Sequence, residues 1–193
     1  MDVWPVYTYR EEHVMQFVYD GIRAAQAAGY LLNKRGGRLN YTVLIKMLYL
    51  ADRQALLASG TSITGASPTA MDHGMVLSEV LNEIKIPSDD YWNQHIVREG
   101  TYDVRLVATP FDSNHLSQFE RGILDRIDAE YGAMDWRQLR EVTHRLPEYQ
   151  DPGGSSIRID PEVILKAEHV NQKYIDEIGS LNGIERLLKS TRE

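Results

Sequence analysis

The sequence predicts a mainly α-helical protein: a compact helical domain with one short β-hairpin, followed by a C-terminal helical appendage. Apolar residues recur three or four positions apart along most of the 193-residue chain, which is the spacing of one face of a helix. The period changes to two only over residues 95–108, which favours a hairpin there. Hydrophobic residues make up 42% of the chain, enough for the core of one domain. We therefore expect a domain at residues 1–165 and the appendage at residues 166–193.

Three helices are predicted in the first half of the chain, at residues 9–32, 41–57 and 69–84. Each carries a stripe of apolar side chains at helical spacing. The second helix is the most apolar, so we expect it at the centre of the core. A Ser59-Gly60 pair ends this helix, and residues 61–68 are predicted to form an irregular loop.

The second half of the chain contains helix-start patterns. Ser117 and Glu120 have the spacing of a capping box, and Asp160 precedes a proline and an acid, as N-cap residues do. Residues 151–156, with the sequence DPGGSS, form the clearest predicted loop. Glycines within residues 179–183 are expected to interrupt the last helix and leave a short segment that packs on the protein itself or on a partner. The helices are predicted at residues 117–132, 135–146, 160–178 and 183–190.

The net charge of −7 is unevenly distributed along the chain. Residues 61–160 hold nine Lys and Arg against seventeen Asp and Glu. This region would repel a phosphate backbone, which argues against direct nucleic-acid binding, whereas it would attract a basic protein. An acidic surface that only keeps the protein soluble is the alternative interpretation. The lack of cysteine, of a long apolar run and of a signal-peptide pattern predicts a cytoplasmic protein without a membrane segment.

Sequence patterns of catalysis and cofactor binding are missing. The six histidines are scattered, and none forms a metal-ligand spacing such as HExxH. The glycine-rich residues 35–38 and 152–156 do not match a phosphate-binding loop and are predicted to be turns. No GxSxG nucleophile motif occurs. We therefore predict no enzyme activity, no metal and no cofactor, with a hydrolytic site that leaves no local pattern as the alternative.

Polar residues interrupt the most apolar predicted helix. Lys46, Asp52 and Arg53 lie in a segment that is otherwise suited to full burial, so each of them needs water or a polar partner. Gly74 weakens the next predicted helix by roughly 1 kcal/mol relative to alanine, which indicates a close backbone approach or a later helix start. Internal bracing and partner binding are both open explanations for these residues.

Five short motifs follow one another along the chain. They are LIKMLYLAD at residues 44–52, SITG at 62–65, AMDHGMV at 70–76, LSQFE at 116–120 and LREVTH at 139–144. In this order and spacing they resemble the Panacea domain, a family of SocA-like and GepA-like antitoxins. The likeness covers about residues 12–165. Met75 stands where the family has a proline, and Glu148-Tyr149 stands where a tryptophan would follow His144.

The resemblance implies an antitoxin of a toxin–antitoxin pair, which neutralises its cognate toxin by direct protein–protein binding. Some members of the family act as adaptors that deliver a toxin to a ClpXP-type protease, and this is the alternative function. The chain has no attached helix-turn-helix pattern, so it is not expected to regulate its own expression on DNA.

The predicted partner-binding surface lies near the loop at residues 61–67. This loop leads into Asp72 and His73, which we expect at one exposed edge together with Asp52 and Arg53. Acidic side chains beside methionines would suit a surface that adapts to a protein partner. The residues predicted to bind the partner are Asp52, Arg53, Met71, Asp72, His73, Met75, Glu79, His144 and Tyr149.

Overall fold

The computed structural model describes residues 15–88 and 90–191 of the chain. The helices are α1 (Gly21–Lys34), α2 (Tyr41–Ser59), α3 (Ser78–Lys85), α4 (Asp90–His95), α5 (Gln118–Tyr131), α6 (Trp136–His144), α7 (Pro161–Ala167) and α8 (Gln172–Ser190). The strands are β1 (Arg38–Asn40), β2 (Pro68–Met71), β3 (Gly74–Leu77), β4 (Ile96–Glu99), β5 (Asp103–Leu106) and β6 (Ser156–Arg158). Helices predominate, as predicted, but two three-stranded antiparallel sheets replace the single predicted hairpin. None of the helices in these ranges has the length and apolar character to cross a membrane.

Helix α2 lies at the centre of the core, as its apolar sequence predicts. It packs against α1, α5, α6 and strand β3. Asn40 begins the helix by accepting a hydrogen bond from the backbone N–H of Thr42 at 2.9 Å, and Gly60 ends it with a φ of +69°. Because α2 is largely covered, its polar side chains must find partners within the protein.

The first sheet has the strand order β1-β5-β4 and contains the predicted hairpin. Strands β4 and β5 pair from Ile96 opposite Leu106 to Glu99 opposite Asp103. Strand β1 adds a third strand, and its Arg38 pairs with the carboxylates of Glu99 and Asp103. The sequence did not predict β1, because three residues are too few to show a period of two.

The second sheet, in the order β3-β2-β6, corrects the predicted helix at residues 69–84. Residues 68–77 form a hairpin, and the helix begins only at Ser78. All four residues of β3 and three of the four residues of β2 are buried, so neither strand has an exposed polar face. A short apolar run without a polar face does not reveal a strand by its periodicity. Strand β6 lies at the end of the predicted loop at 151–156 and pairs with β2.

Three further helix boundaries differ from the prediction. Helix α1 begins at Gly21 after the N-cap Asp20, whereas the predicted start at residue 9 lies outside the described residues. The predicted helix at 160–178 is broken near His169, whose φ is +57°, so that it forms α7 and part of α8. Helix α8 then continues through residues 179–183, where an interruption was expected.

Candidate partner-binding surface at the tip of the second sheet

The turn between β2 and β3 projects two exposed side chains, Asp72 and His73. Met71 pairs with Gly74 across the hairpin, so the turn is short. Gly74 has a φ of +95°, and a Cβ atom there would lie 2.2 Å from Oγ1 of Thr143 and 2.8 Å from Nζ of Lys46. Only glycine therefore allows the turn to approach α6 and α2 this closely.

Hydrogen bonds hold this turn against its neighbours. The side chain of Arg140 donates from Nε to the carbonyl oxygen of Asp72 at 3.3 Å, and the backbone N–H of Gly154 donates to the carboxylate of Asp72 at 2.9 Å. The hydroxyl of Tyr149 donates to the carbonyl oxygen of Met71 at 3.3 Å. These bonds join the hairpin to α6 and to the loop that precedes β6, so Asp72 and His73 are held in a defined position.

Aromatic and arginine side chains surround the turn. The rings of His73 and Trp136 meet edge to face with centroids 6.3 Å apart, and the guanidinium of Arg137 lies 4.6 Å from the centroid of the Trp136 ring. Tyr149 stacks on His144 at 4.2 Å with an angle of 17° between the rings. We call this region the tip surface; it consists of Asp72, His73, Trp136, Arg137, Arg140 and Tyr149.

A buried lysine lies beneath the tip surface. Lys46 is fully buried, and its Nζ donates to the carbonyl oxygen of Met75 at 3.3 Å. Burial, followed by the positive charge of Arg140, lowers the pKa of Lys46 to about 7. The amine therefore links α2 to the base of the hairpin, and at neutral pH it is protonated in only about half of the molecules, unlike an exposed lysine.

His144 lies in the same positively charged surroundings. Burial, together with the charges of Arg140 and Lys46, lowers the pKa of its imidazole. Its Nε2 atom is buried and has no hydrogen-bond partner among the described residues. His144 therefore favours the neutral form and supports Tyr149 through ring stacking.

The family described as "Antitoxin SocA-like, Panacea domain" matches residues 44–150 of this chain. The chain belongs to this family. No curated protein and no solved structure matches the chain significantly. The matched range begins within α2 and ends just before the loop whose Gly154 donates a hydrogen bond to Asp72. It therefore contains every residue of the tip surface. Strand β6, α7 and α8 lie outside it.

Asp52 of the Panacea domain has an internal role in the structure, although the sequence placed it at an exposed edge. It is only 6% exposed and accepts four hydrogen bonds of 2.5 to 3.1 Å, from Ser62, Ile63 and Thr64. These donors favour the carboxylate, but burial has the larger effect and raises the pKa of Asp52 to about 6. Asp52 thus fixes the loop that follows α2.

Arg53 braces the Panacea domain in a similar way. It forms ion pairs with Glu148, at 2.7 Å, and with Glu168, and the hydroxyl of Tyr49 donates to the same Glu148 carboxylate at 2.5 Å. The Glu148 side chain is fully buried. This network joins α2 to the segment after α6 and to the end of α7, and it leaves 12% of the Arg53 side chain exposed.

The remaining predicted residues divide between the interior and the surface of the Panacea domain. Met75 is fully buried, and half-buried Glu79 accepts hydrogen bonds from the backbone N–H and the hydroxyl of Ser67 at 2.6 and 2.7 Å. Met71 is half-buried beside the exposed Asp72 and His73. The structure thus brings Met71, Asp72, His73, His144 and Tyr149 together, and it places Asp52, Arg53, Met75 and Glu79 in internal contacts.

Sequence reasoning missed Trp136, Arg137 and Arg140 as surface candidates. Trp136 is half-buried and forms part of the tip surface. The available signal was a tryptophan within four residues of two arginines at the start of a helix. Within the described ranges, no three His, Asp or Glu side chains are grouped so that they could hold a metal ion.

Proposed function

We propose that this protein is an antitoxin that neutralises a cognate toxin by direct binding, and that the tip surface forms the contact. Membership of the SocA-like antitoxin family supports the functional class. The location is supported by the joint presence of Trp136, Tyr149, Arg137 and Arg140 around one exposed turn. Tryptophan, tyrosine and arginine are enriched among the few residues that dominate the binding energy of protein interfaces.

The contacts of the tip surface would also limit the entropy cost of binding. Arg140, Gly154 and Tyr149 already hold the turn by hydrogen bonds, and Arg137 lies over the Trp136 ring. A surface that is ordered before binding loses less conformational freedom when the partner arrives. The proposed mode of action is therefore steric occupation of the toxin by a preformed surface, without chemical change to either protein.

Co-expression with a toxin encoded in the adjacent reading frame tests this proposal. The wild-type chain should restore growth and co-purify with the toxin. His73→Ala and Arg137→Ala should each weaken the complex by about tenfold or more, because they remove exposed interface side chains. Arg126→Ala on α5 is the matched control for the loss of an exposed arginine and should bind as the wild type does.

The fate of the toxin separates blocking from delivery to a protease. A toxin that persists in a stable complex supports neutralisation by occupation. Toxin that disappears in wild-type cells but persists in cells lacking the ClpXP-type protease identifies an adaptor instead. A chemically modified toxin or a consumed small molecule would contradict both and indicate an enzyme.

A further inference from the structure

The second sheet has two outer strands, and they differ in how far the protein covers them. In the strand order β3-β2-β6, the outer strands are β3 and β6. All residues of β3 are buried, and α2 and α6 pack against this strand. In β6, Ser156 and Arg158 are exposed and Ile157 is half-buried. The edge formed by β6 is therefore the open edge of the sheet.

The pairing of β6 with β2 determines which backbone groups point toward the open edge. The N–H of Ile159 donates to the carbonyl oxygen of Pro68 at 2.9 Å, so Ile159 is a hydrogen-bonded residue of this ladder. In an antiparallel pair, such residues alternate with residues whose N–H and C=O groups point outward. Ile157 therefore faces β2, whereas the backbone groups of Ser156 and Arg158 point away from it.

The opposite edge shows how the protein satisfies an outward backbone group. Met75 of β3 points away from β2 by the same alternation, and its carbonyl oxygen accepts a hydrogen bond from Nζ of the buried Lys46 at 3.3 Å. At the open edge, no described residue forms a hydrogen bond with the outward backbone groups of Ser156 and Arg158. These N–H and C=O groups have the arrangement that pairs with an added strand.

The open edge is continuous with the tip surface. Ser156 lies opposite Met71, which directly precedes Asp72 in the exposed turn. The N–H of Gly154, two residues before Ser156, donates to the carboxylate of Asp72 at 2.9 Å. Apart from the chain neighbours, no atom lies within 4 Å of the position that a Cβ would take at Gly153 or Gly154. The approach from the turn to the open edge is therefore unobstructed at these glycines.

We propose that the toxin, bound at the tip surface, adds an extended segment to β6 as a fourth strand of the second sheet. This inference rests on the proposed function, because the toxin is the occupant and the tip surface is its neighbouring contact. Main-chain hydrogen bonds would recognise the extended backbone of the segment. The strand is short and carries an arginine, both of which limit uncontrolled pairing of edges. The edge therefore binds together with the tip surface and not alone.

Amide hydrogen exchange of the full chain tests the added strand. It is measured for the free protein and for its complex with the toxin encoded in the adjacent reading frame. The amides of Ser156 and Arg158 should exchange at least ~10-fold more slowly in the complex, because each gains an acceptor. The matched control is the amide of Arg98 in β4, which also points outward, because the N–H of Val107 donates to the carbonyl oxygen of His95 in that ladder. Its exchange rate should not change.

Proline variants separate backbone recognition from side-chain recognition. Ser156→Pro removes an outward N–H and leaves the hydrogen bonds to β2 in place, so it should lower the affinity for the toxin by about tenfold. Arg98→Pro makes the same change on the edge of the other sheet and should bind as the wild type does. Arg158→Ala keeps the backbone and should weaken binding less than Ser156→Pro. Circular dichroism checks the fold, and exchange in the wild-type complex decides the question if a proline variant unfolds.

The possible contrary results have distinct meanings. A stable complex in which both amides exchange as in the free protein overturns the added strand and leaves neutralisation intact. Equal weakening by the two proline variants also contradicts it. Protection of both amides in the free monomer would assign the edge to another part of this chain. Protection that appears only on dimerisation would assign it to a second copy. The absence of any complex with the toxin would remove the proposed function and this inference together.

Discussion

The tip surface and the second half of α8 differ in how far the protein itself satisfies their side chains. At the tip, Asp72 and Tyr149 take part in hydrogen bonds to neighbouring segments, and Trp136 has ring and cation contacts. Along α8, Leu181 and Leu188 are more than half exposed, and Asn182 retains a buried acceptor without a donor. The side chains at the tip are thus held by contacts within the protein, whereas the second half of α8 keeps exposed apolar side chains and a buried acceptor without a donor among the described residues.

Gly74→Ala should have the largest effect, because it attacks the close packing under the tip. An added Cβ would lie 2.2 Å from Thr143 Oγ1, and the φ of +95° strains any residue with a side chain. We expect a loss of about 3 kcal/mol or more in the free energy of unfolding, or a fall in Tm of roughly 10 °C. Thermal unfolding followed by circular dichroism measures it. A change below 1 kcal/mol would show that the tip is not closely packed.

The pH dependence of stability should reveal the buried Lys46. Its pKa of about 7 in the folded protein is far below that of an exposed lysine, so between pH 7 and 9 the unfolded chain binds a proton that the folded protein does not. The stability of the wild type relative to Lys46→Met should therefore rise with pH, by roughly 1 kcal/mol per pH unit. Urea unfolding of both proteins at pH 7, 8 and 9 measures this difference. A difference that is constant with pH would mean that Lys46 stays charged in the fold.

Removal of residues 180–193 should lower the free energy of unfolding less than Gly74→Ala does. The deletion leaves Ile175 and Ile178, which attach α8, and removes mainly exposed side chains, with Asn182 as the buried exception. We expect the domain to remain folded, with a Tm within a few degrees of the full chain. Loss of the cooperative transition would place the end of α8 in the core. A folded protein that no longer neutralises its toxin would instead place it in the interface.

Gly183→Ala should have the smallest effect and the opposite sign to Gly74→Ala. Gly183 lies inside α8, and apart from its chain neighbours and the backbone of its own helix no atom is within 4 Å of the position that its Cβ would take. Alanine favours the helix more than glycine does, so stability should rise by about 0.5–1 kcal/mol. Thermal unfolding beside the Gly74→Ala protein gives the direct comparison. A destabilised Gly183→Ala protein would show that this face of α8 is already covered.

The sequence predicted the features that depend on local chemistry. The capping box of Ser117 and Glu120, the N-cap at Asp160 and the central position of α2 are all confirmed. The β2–β3 hairpin was missed, because its exposed turn is only two residues long and its strands are buried. Its position is decided by long-range contacts of Gly74 with Lys46 and Thr143, which no local pattern contains.

The residues predicted to bind a partner show the same limit of prediction from local sequence. Sequence alone identified Asp52 and Arg53 as polar residues that need partners, but it could not say whether those partners belong to the protein. In the structure, Asp52 accepts hydrogen bonds from the loop at 62–64, and Arg53 forms ion pairs with the carboxylates of Glu148 and Glu168. Trp136 was missed for the opposite reason. An aromatic residue on an amphipathic helix is expected in the core, and only the neighbouring elements show that it lies partly at the surface.

The polar contacts of α2 have a consequence for how members of this family can diverge. Lys46 contacts the backbone at Met75, Asp52 contacts residues 62–64, and Arg53 contacts Glu148, so polar side chains of one helix hold three separate segments. A substitution that removes the Glu148 carboxylate or the hydroxyls of Ser62 and Thr64 takes a side-chain partner from a buried group on α2 and requires a compensating substitution there, whereas the backbone carbonyl of Met75 is present whatever its side chain. We therefore expect Arg53 to covary with Glu148, and Asp52 with Ser62 and Thr64, among related chains, while the exposed residues of the tip surface, the proposed toxin contact, diverge independently.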